Sequence, residues 1–402
     1  MQENNHILLA RMQVIMLAFI HGFQHIVVVC LPPLFSLIQA EFGLTYGQLG
    51  MLQSASRLSG GVLQIPAGIM ADRFGKKKVL LYGFMVMVSC LFLAGLAPTF
   101  LLLLVSQFLL GVGDSVFHPS TYALISQGSA SRNLGRNMSI HSLGGWSGTA
   151  IAFGLIGLLG SKWGWRYALT VLGGSGLLFF AMLIFWIPEV GSSAAAEKKM
   201  ANPLSLINKP IILIFFIAAL GGMVRYGLMS FLPTFLGEVY GFSVVNAGLY
   251  STIYLMAGAA STIFGGWLAD RINRLQLVIF ESVATMIAVI VLSLGGSTSF
   301  LLILSLVISG AFVYFAVPAY NALLSFYSSP ENQGWIYGVN FGGSSLGSLV
   351  GALVIGYMAD LFGFRLAFLS LAGFSLMRTA MLLIMRQISA HSVFYHFGAG
   401  SN

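Results

Sequence analysis

The chain has 402 residues, of which 57% are hydrophobic and only 7% are charged. A soluble domain carries about 25% charged residues, so the composition argues against a soluble enzyme, a nucleic-acid-binding protein and a disordered chain. The formal net charge of +8 does not point to an acidic partner, because membrane proteins collect Lys and Arg in their cytoplasmic loops. The composition therefore predicts a polytopic membrane protein embedded in a lipid bilayer.

A helix needs about 20 mostly apolar residues to cross a bilayer, and the sequence offers twelve such segments. Turn-forming or charged residues separate these segments, and the loops are too short to hold an extramembrane domain. The predicted fold class is an all-α membrane protein with twelve transmembrane helices. The predicted spans are 12–38, 47–70, 79–97, 99–126, 137–160, 167–188, 210–237, 244–268, 276–295, 300–327, 336–360 and 366–386.

Lys and Arg are distributed unequally between the two sides of these spans. Cations are more numerous on the side that holds both termini, and cytoplasmic loops are enriched in them. The sequence therefore predicts cytoplasmic termini in a bacterial inner membrane. The cations on that side are Arg11, Arg73, Lys76, Lys77, Lys78, Arg132, Arg136, Lys198, Lys199, Lys209, Arg271, Arg274 and Arg386, and those opposite are Lys162, Arg166 and Arg365.

An internal repeat relates the two halves of the chain at an offset of about 199 residues. Residues 68–73 recur as 266–271, and residues 164–166 recur as 363–365. Parallel repeats of this kind form one known plan for transporters, with a substrate site near the bilayer midplane. The predicted domains are a six-helix bundle over 1–190, a cytoplasmic linker over 191–209, a second six-helix bundle over 210–387 and a cytoplasmic tail over 388–402.

The segment GIMADRFGKKKV, from Gly68 to Val79, resembles the signature loop of the major facilitator superfamily, between its second and third helices. The resemblance extends over the whole chain through its topology and its two halves. It implies two pseudo-symmetric six-helix bundles that rock around a central site in a secondary transporter. It also implies that five residues of this loop act in the conformational switch: Gly68, Asp72, Arg73, Gly75 and Lys76. In the second copy of the loop, Asn273 stands in place of the second glycine.

The fourth span adds a narrower resemblance and one departure. Gly111 and Gly113 followed by Phe117-His118-Pro119 look like the fourth helix of the fosmidomycin-resistance group of this superfamily, which implies export of a small anionic compound. Many proton antiporters of the superfamily have an arginine shortly before these glycines, whereas this chain has Gln107. That antiporter mechanism is therefore not carried over directly.

Two pairs of titratable residues lie four positions apart in the first and fourth spans. His21 and His25 share one helical face, with Gln24 beside them, and Asp114 and His118 share another. The resemblance implies that these two helices line the central cavity. Because imidazole exchanges protons near neutral pH, we predict that Asp114 and His118 couple transport to protons and that His21, Gln24 and His25 bind substrate. Structural hydrogen bonds between helices are the alternative.

The same residues are also suitable ligands for a transition metal. Imidazole and carboxylate groups bind several such ions, and His21, His25, Asp114 and His118 could supply them from two facing helices. A transporter of a transition metal or a metal chelate is therefore the main rival hypothesis.

Two arginines lie in the middle of predicted spans, where a charge is costly and usually functional. A guanidinium group offers a planar fork to carboxylate, phosphate or phosphonate, so these arginines predict a small organic anion as substrate. An ion pair between Arg57 and Asp114 is the structural alternative for one of them. The predicted substrate-binding residues outside the first span are Arg57, Arg225, Tyr226, Tyr314 and Asn321.

Two further charges lie on helices that are peripheral in the resembling superfamily. Glu281 and Arg378 are expected to extend their charged ends toward the membrane surface. Neither residue is assigned to the substrate site.

No nucleotide-binding GxxxxGK[ST] run or nucleophile-elbow serine is present. We therefore predict that the chain is not an enzyme, that it needs no cofactor and that it binds no nucleic acid. Its predicted partners are a small-molecule substrate, protons and the lipid bilayer, and it is predicted to be a monomer. A non-transporting receptor or scaffold is the third hypothesis, but the chain lacks the large soluble loop or tail expected of one.

Overall fold

The computed structural model describes the backbone of residues 2–128, 133–187, 209–295, 299–324 and 333–398, and the side chains of all these residues except 2–11, 128, 299, 333–335 and 389–398. Every regular element in these ranges is helical. The predicted linker over 191–209 falls almost wholly on 188–208, outside the described residues.

Short loops connect the helices of the first half of the chain, and these helices follow the predicted spans. They are α1 (Gln2–Val28), a 3₁₀ turn (Pro32–Leu34), α2 (Phe35–Phe42), α3 (Tyr46–Phe74), α4 (Lys76–Gly95), α5 (Phe100–Asp114), α6 (Phe117–Gly128), α7 (Leu134–Trp163) and α8 (Trp165–Trp186). Those of the second half are α9 (Lys209–Tyr240), α10 (Val244–Ala269), α11 (Arg274–Leu294), α12 (Ser299–Phe315), α13 (Val317–Leu324) and α14 (Gln333–Gly398).

Prolines account for the places where one predicted span contains two helices. Proline has no backbone N–H and clashes with the preceding turn, and the first span is broken at Pro32 and Pro33. The fourth span is broken just before Pro119, between α5 and α6, and the tenth just before Pro318, between α12 and α13. The fourth and tenth spans are therefore interrupted at the same position of the repeat.

Ten stretches of the described chain are long and apolar enough to cross a membrane. They leave out α3, a 29-residue helix that carries Arg57 and several polar residues. The last stretch, Ile336–Ile388, has 53 residues and contains a non-helical break at Gly363, so it is long enough for two crossings. Together these helices account for the twelve predicted spans, and the predicted fold class is confirmed.

Many large apolar side chains are exposed on the surfaces of these helices. Ile65 is 74% exposed, Ile263 is 79% exposed and Phe185 is 81% exposed. Water-soluble proteins rarely expose apolar patches of this extent, whereas lipid tails cover them at no cost. The exposed apolar surface is therefore lipid-facing.

The chain forms two compact units. The first unit contains Met1–Lys198 and Leu232–Thr252, and the second contains Lys199–Phe231 and Ile253–Asn402. The predicted bundle boundaries at residues 190 and 210 stay a prediction.

Close contacts between helices repeat from one unit to the other. In the first unit a Cβ at Gly111 of α5 would lie 2.2 Å from the carbonyl oxygen of Ser56 in α3, and in the second a Cβ at Gly310 would lie 2.0 Å from that of Tyr254. Such a distance leaves room only for glycine, so each pair of helices crosses backbone to backbone. The repeat in the sequence is therefore also a repeat of helix contacts.

The repeated Gly-x-Arg segments have the same role in each unit. Gly164 and Gly363 have φ angles of +87° and +76°, which suit glycine and allow a sharp change of direction between two helices. Arg166 donates to the carbonyl oxygen of Ala97 at 2.7 Å, and Arg365 donates to that of Ser293 at 3.0 Å. Each arginine thus satisfies carbonyl groups at the C-terminal end of a neighbouring helix.

Candidate functional site

Three imidazole rings form a histidine cluster in the first unit: His21 and His25 of α1, and His118 of α6. The His21 ring centroid lies 4.6 Å from that of His25 and 5.3 Å from that of His118. One nitrogen from each ring lies within 4.8 Å of the others. The i, i+4 spacing in α1 and the short helix after the break before Pro119 bring these residues together, as the sequence predicted for two helices facing one site.

Hydrogen bonds fix which nitrogen of His21 and His25 carries the proton. Nδ1 of His21 lies 2.7 Å from the carbonyl oxygen of His141, which can only accept. Nδ1 of His25 lies 2.7 Å from Oγ1 of Thr149, whose hydroxyl donates to the carbonyl oxygen of Gly145. Both Nδ1 atoms therefore donate, and both Nε2 atoms keep their lone pairs for a ligand.

Both Nε2 atoms lie close to Gly145 of α7. A Cβ built on Gly145 would lie 2.9 Å from Nε2 of His21 and 2.9 Å from Nε2 of His25. Any side chain at this position would therefore collide with both rings. Glycine here allows the two rings to pack against α7.

Charged and amide groups adjoin the histidine cluster. The side-chain nitrogen of Gln24 donates a hydrogen bond to the carboxylate of Asp114. Arg57 of α3 interacts electrostatically with Asp114, His25 and His118. The first unit thus brings together all the site residues predicted in its spans. The attraction between Arg57 and Asp114 agrees with the structural alternative, in which these two residues form an ion pair. Asp114 therefore offsets part of the positive charge that Arg57 would offer to a ligand.

Arg225 of α9 lies among aromatic side chains in the second unit. Its guanidinium carbon lies 5.5 Å from the ring centroid of Tyr314, within range of a cation–π interaction. Arg225 also interacts electrostatically with Tyr254 and Tyr320. Of the other predicted binding residues, Asn321 accepts a hydrogen bond from Tyr337 at 3.0 Å through its backbone carbonyl. The structure thus pairs Arg225 with Tyr314, and the roles of Tyr226 and Asn321 in binding stay predictions.

The expectation that Glu281 and Arg378 extend to the membrane surface is wrong. Nη1 of Arg378 donates to Oε2 of Glu281 at 2.6 Å, and the two side chains are only 9% and 5% exposed. Residue Glu281 belongs to α11 and Arg378 to α14, which pack against each other, so the charges meet inside the unit instead of separating toward water. A charge far from solvent needs such a partner.

Two arginines and one glutamate line a small cavity of the second unit. Arg225, Glu281 and Arg378 line it, together with the uncharged residues Gly221, Thr285 and Ser375. Two guanidinium groups and one carboxylate leave an excess of positive charge among these lining residues. The described part of the chain therefore offers a site suited to an anion inside the second unit.

The predicted switch loop is a sharp turn between α3 and α4. Gly75 has a φ angle of +97°, which only glycine adopts readily. Asp72 pairs with Lys76 at 3.3 Å, and the Lys76 side chain is 7% exposed although it is charged. Arg73 lies over the ring of Phe74 at 5.4 Å. The role of this loop in a conformational switch stays a prediction.

Sequence reasoning missed three residues of these sites. Thr149 orients His25, but a single threonine in an apolar helix carries no distinctive sequence signal. Glu281 and Arg378 were placed at the periphery from their helices alone. Their charge inside spans was the available signal, since an intramembrane charge indicates function by default.

Comparison with known proteins agrees with this architecture. A sequence model of the Major Facilitator Superfamily matches residues 17–334 and 214–395. A solved bacterial homologue of the human lysosomal transporter Spinster, inward-facing and occupied, superposes with a TM-score of 0.82 at 18% identity, over 93% of this chain and 96% of that one. At this identity the likeness shows the fold alone.

Three relatives of the chain are named for different small molecules. The chain is 29% identical to the probable sulfoacetate transporter SauU of Cupriavidus necator, over 59% of this chain and 60% of that protein. It is 27% identical to the fosmidomycin resistance protein of Escherichia coli, over 81% of each. It is 25% identical to the probable nitrate transporter NarT of Staphylococcus haemolyticus, over 86% of this chain and 89% of that protein.

These matches confirm both resemblances, to the superfamily and to its fosmidomycin-resistance group. They also favour a transporter over the hypothesis of a receptor or scaffold. The chain belongs to the Major Facilitator Superfamily and is a multi-pass integral membrane transporter of small molecules, not an enzyme.

Proposed function

We propose that this transporter moves a small organic anion across the bacterial inner membrane by alternating access, with both termini in the cytoplasm. Transport is coupled to protons through Asp114 and His118, and its direction is export. The substrate contacts are Arg57 and Arg225, with His21, Gln24, His25, Tyr226, Tyr314 and Asn321 around them. Gly68, Asp72, Arg73, Gly75 and Lys76 act in the conformational switch.

One observation carries the anion as substrate: the position of Arg225. Its Nε atom is buried and has no hydrogen-bond partner among the described residues. An unpaired donor on a buried charge is costly, and an anionic ligand would supply the missing acceptor. Tyr314 covers the guanidinium without neutralising it.

The relatives support an anion as the substrate. Two of them are named for the transport of sulfoacetate and nitrate, which are both oxyanions. The direction rests on the relative named for fosmidomycin resistance, since export of a toxic compound is one route to resistance.

Transport by purified protein in proteoliposomes tests the anion proposal. We expect labelled nitrate or sulfoacetate to cross wild-type vesicles, and Arg225→Ala to reduce the rate at least about tenfold, because it removes charge-assisted hydrogen bonds. Arg57→Ala is expected to reduce it as well. Arg271→Ala is the matched control, because Arg271 is exposed and lies over Trp267 outside both sites. Unchanged rates in both Arg225→Ala and Arg57→Ala would refute the anion proposal.

Proton coupling is tested separately with an imposed pH gradient. Asp114→Asn keeps the shape of the side chain but cannot exchange a proton, so transport by this variant is expected to become independent of the gradient. Glu238→Gln is the control, because Glu238 is an exposed acid. Equal dependence on the gradient in Asp114→Asn and the wild type would exclude Asp114 as the coupling group.

The histidine cluster favours a second candidate function, transport of a transition metal or a metal chelate. Three imidazoles with nitrogens within 4.8 Å of one another can surround one ion, and divalent zinc or cobalt takes such ligands. Metal uptake that requires His21 and His25 but not Arg225 would favour this candidate over the anion.

A further inference from the structure

The cavity that Arg225 lines is also lined by a second arginine, Arg378, which already forms an ion pair with Glu281. The Arg378 side chain is 9% exposed and donates from Nη1 to Glu281, while Thr285 donates to the other carboxylate oxygen at 3.4 Å. The carboxylate of Glu281 is therefore a buried anion. The guanidinium and hydroxyl groups that bind it are of the kind that would bind a small anion from solution.

Two donors in this cavity remain without acceptors. Nε of Arg225 and Nε of Arg378 are both buried, and neither has a hydrogen-bond partner among the described residues. Both side chains line the same cavity. Buried donors are almost always satisfied in proteins, so two unsatisfied guanidinium donors on side chains that line one space point to a ligand with at least two acceptor oxygens.

Two neighbouring residues, Gly221 and Tyr320, do not compete for this space. A Cβ on Gly221 would lie 3.2 Å from Nε of Arg378, so the glycine leaves that donor accessible. The hydroxyl of Tyr320, which interacts electrostatically with both arginines, is committed to the carbonyl oxygen of Ile214 at 3.2 Å. Glu281 is thus the anion that a ligand must displace or share.

We propose that Arg225 and Arg378 form a binding site for one small oxyanion within the second unit, and that Glu281 occupies this site as an internal counter-anion when no ligand is bound. The ligand is a carboxylate, sulfonate, phosphonate or nitrate group, whose oxygens bridge the two guanidinium forks. The choice of an anion rests on the proposed function. The site adds two residues, Arg378 and Glu281, that the sequence analysis left outside the substrate pathway.

This arrangement predicts that removing the internal carboxylate strengthens binding of the external anion. Glu281→Gln keeps the shape and one oxygen acceptor for Arg378 and Thr285, but removes the negative charge that competes with the ligand. A merely structural ion pair predicts the opposite or no change. The sign of the change in affinity therefore separates the two roles.

The experiment measures binding of nitrate, acetate, methanesulfonate and methylphosphonate to purified full-length protein by isothermal titration calorimetry, with methanesulfonamide as the uncharged control. We expect at least one oxyanion to bind, Glu281→Gln to bind it several-fold more tightly, and Arg225→Ala to bind it about tenfold more weakly. The double variant Glu281→Gln/Arg378→Gln avoids an unpaired buried charge and is expected to lose the gain. Arg365→Gln, on the same helix outside the cavity, is expected to bind like the wild type.

Several results would overturn the site. The site is excluded if Glu281→Gln binds no more tightly than the wild type. It is also excluded if Arg225→Ala binds like the wild type and the double variant binds as tightly as Glu281→Gln. A failure of all four oxyanions to bind either the wild type or Glu281→Gln excludes it as well. If anion transport in proteoliposomes persists with any of these results, the proposed function stands and only this site falls. If the wild type transports no anion although the binding pattern is as expected, the site stands and the proposed function falls.

Discussion

Arg378 and Glu281 form a buried ion pair of 2.6 Å although they are 97 positions apart in the chain. The pair joins α11 to α14 in the second unit, at a cavity that also contains Arg225. Its burial has two consequences: each charge depends on the other for stability, and the carboxylate lies where a ligand could compete with it.

The first prediction concerns the stability that this pair confers. Arg378→Ala is expected to destabilise the protein by about 3–5 kcal/mol, because it leaves Glu281 as an uncompensated buried charge. The double variant Arg378→Met/Glu281→Gln is expected to cost much less, since no charge remains. Chemical unfolding in mixed micelles measures both.

A matched pair on the surface of the same unit is the control. Arg274 lies 4.0 Å from Asp270, whose side chain is 76% exposed. Arg274→Ala is expected to cost less than about 1 kcal/mol, because water screens exposed pairs. A similar cost for Arg378→Ala and Arg274→Ala would show that the buried pair is not isolated from solvent.

Much of the fold could be predicted from the sequence because bilayer thickness dictates the length of each apolar span. The loop from Gly68 to Val79 identified the superfamily, and the repeat predicted paired contacts such as those of Gly111 and Gly310. The i, i+4 pair His21 and His25 was also placed correctly, since helical spacing alone puts the two residues side by side. Asp114 and His118 do not share a helical face, because the break between α5 and α6 separates them.

The remaining site residues depend on tertiary contacts that spacing does not encode. Glu281 and Arg378 meet only because α11 packs against α14. Neither helix alone indicates this contact, so each charge was predicted to extend to the membrane surface. Thr149 became visible as a partner of His25 only through a hydrogen bond across 124 positions. The break in the fourth span lies just before Pro119, and this proline was the signal for it in the sequence.

The second prediction concerns the support of the histidine cluster by Thr149. Its hydroxyl accepts from Nδ1 of His25 and thereby leaves the lone pair on Nε2 for a ligand. If the cluster binds zinc or cobalt, Thr149→Val is expected to weaken metal affinity about 10–100-fold, as loss of a group that orients a metal-ligating histidine does. Calorimetric titration with Zn²⁺ and visible absorption of bound Co²⁺ measure the effect.

Thr149→Ser is the matched control for this prediction, because serine keeps the hydroxyl and removes only a methyl group. It is expected to bind metal like the wild type. Loss of affinity in Thr149→Ser equal to that in Thr149→Val would assign the effect to packing and not to the hydrogen bond. No metal binding by the wild type would reject the metal hypothesis and leave the cluster to substrate or proton contacts.

The third prediction concerns the close packing of Gly145 against the rings of His21 and His25. Gly145→Ala would place a methyl group 2.6 Å from Cε1 of His21 and 2.9 Å from Nε2 of both His21 and His25. Both rings would have to move, so ligand binding at the cluster and transport are expected to fall at least tenfold, by roughly the cost of misplacing a site by 1 Å. Transport in proteoliposomes and metal titration are the measurements.

Gly174 of α8 is the matched control for Gly145, because a Cβ there would meet no atom within 4 Å. Gly174→Ala is expected to leave transport unchanged and to stabilise the helix by up to about 1 kcal/mol. If Gly145→Ala transports and binds like Gly174→Ala, the positions of the two rings beside Gly145 do not matter for ligand binding.

The last prediction concerns why the second copy of the switch loop has Asn273 in place of a glycine. Gly75 precedes α4 with φ and ψ of +97° and 129°, a conformation that disfavours any side chain, and makes no side-chain cap. Asn273 precedes α11 with φ and ψ of −60° and 118°, and its side chain accepts from the backbone N–H of Gln276 at 3.1 Å. The two loops thus begin their following helices by different means.

Gly75→Asn is therefore expected to lower the free energy of unfolding by about 1–3 kcal/mol through backbone strain. The reciprocal Asn273→Gly should lower it by only a few tenths of a kcal/mol, as exchange of a capping asparagine for glycine does. Chemical unfolding of both variants measures the difference, and equal costs would mean that the positive φ of Gly75 is not required.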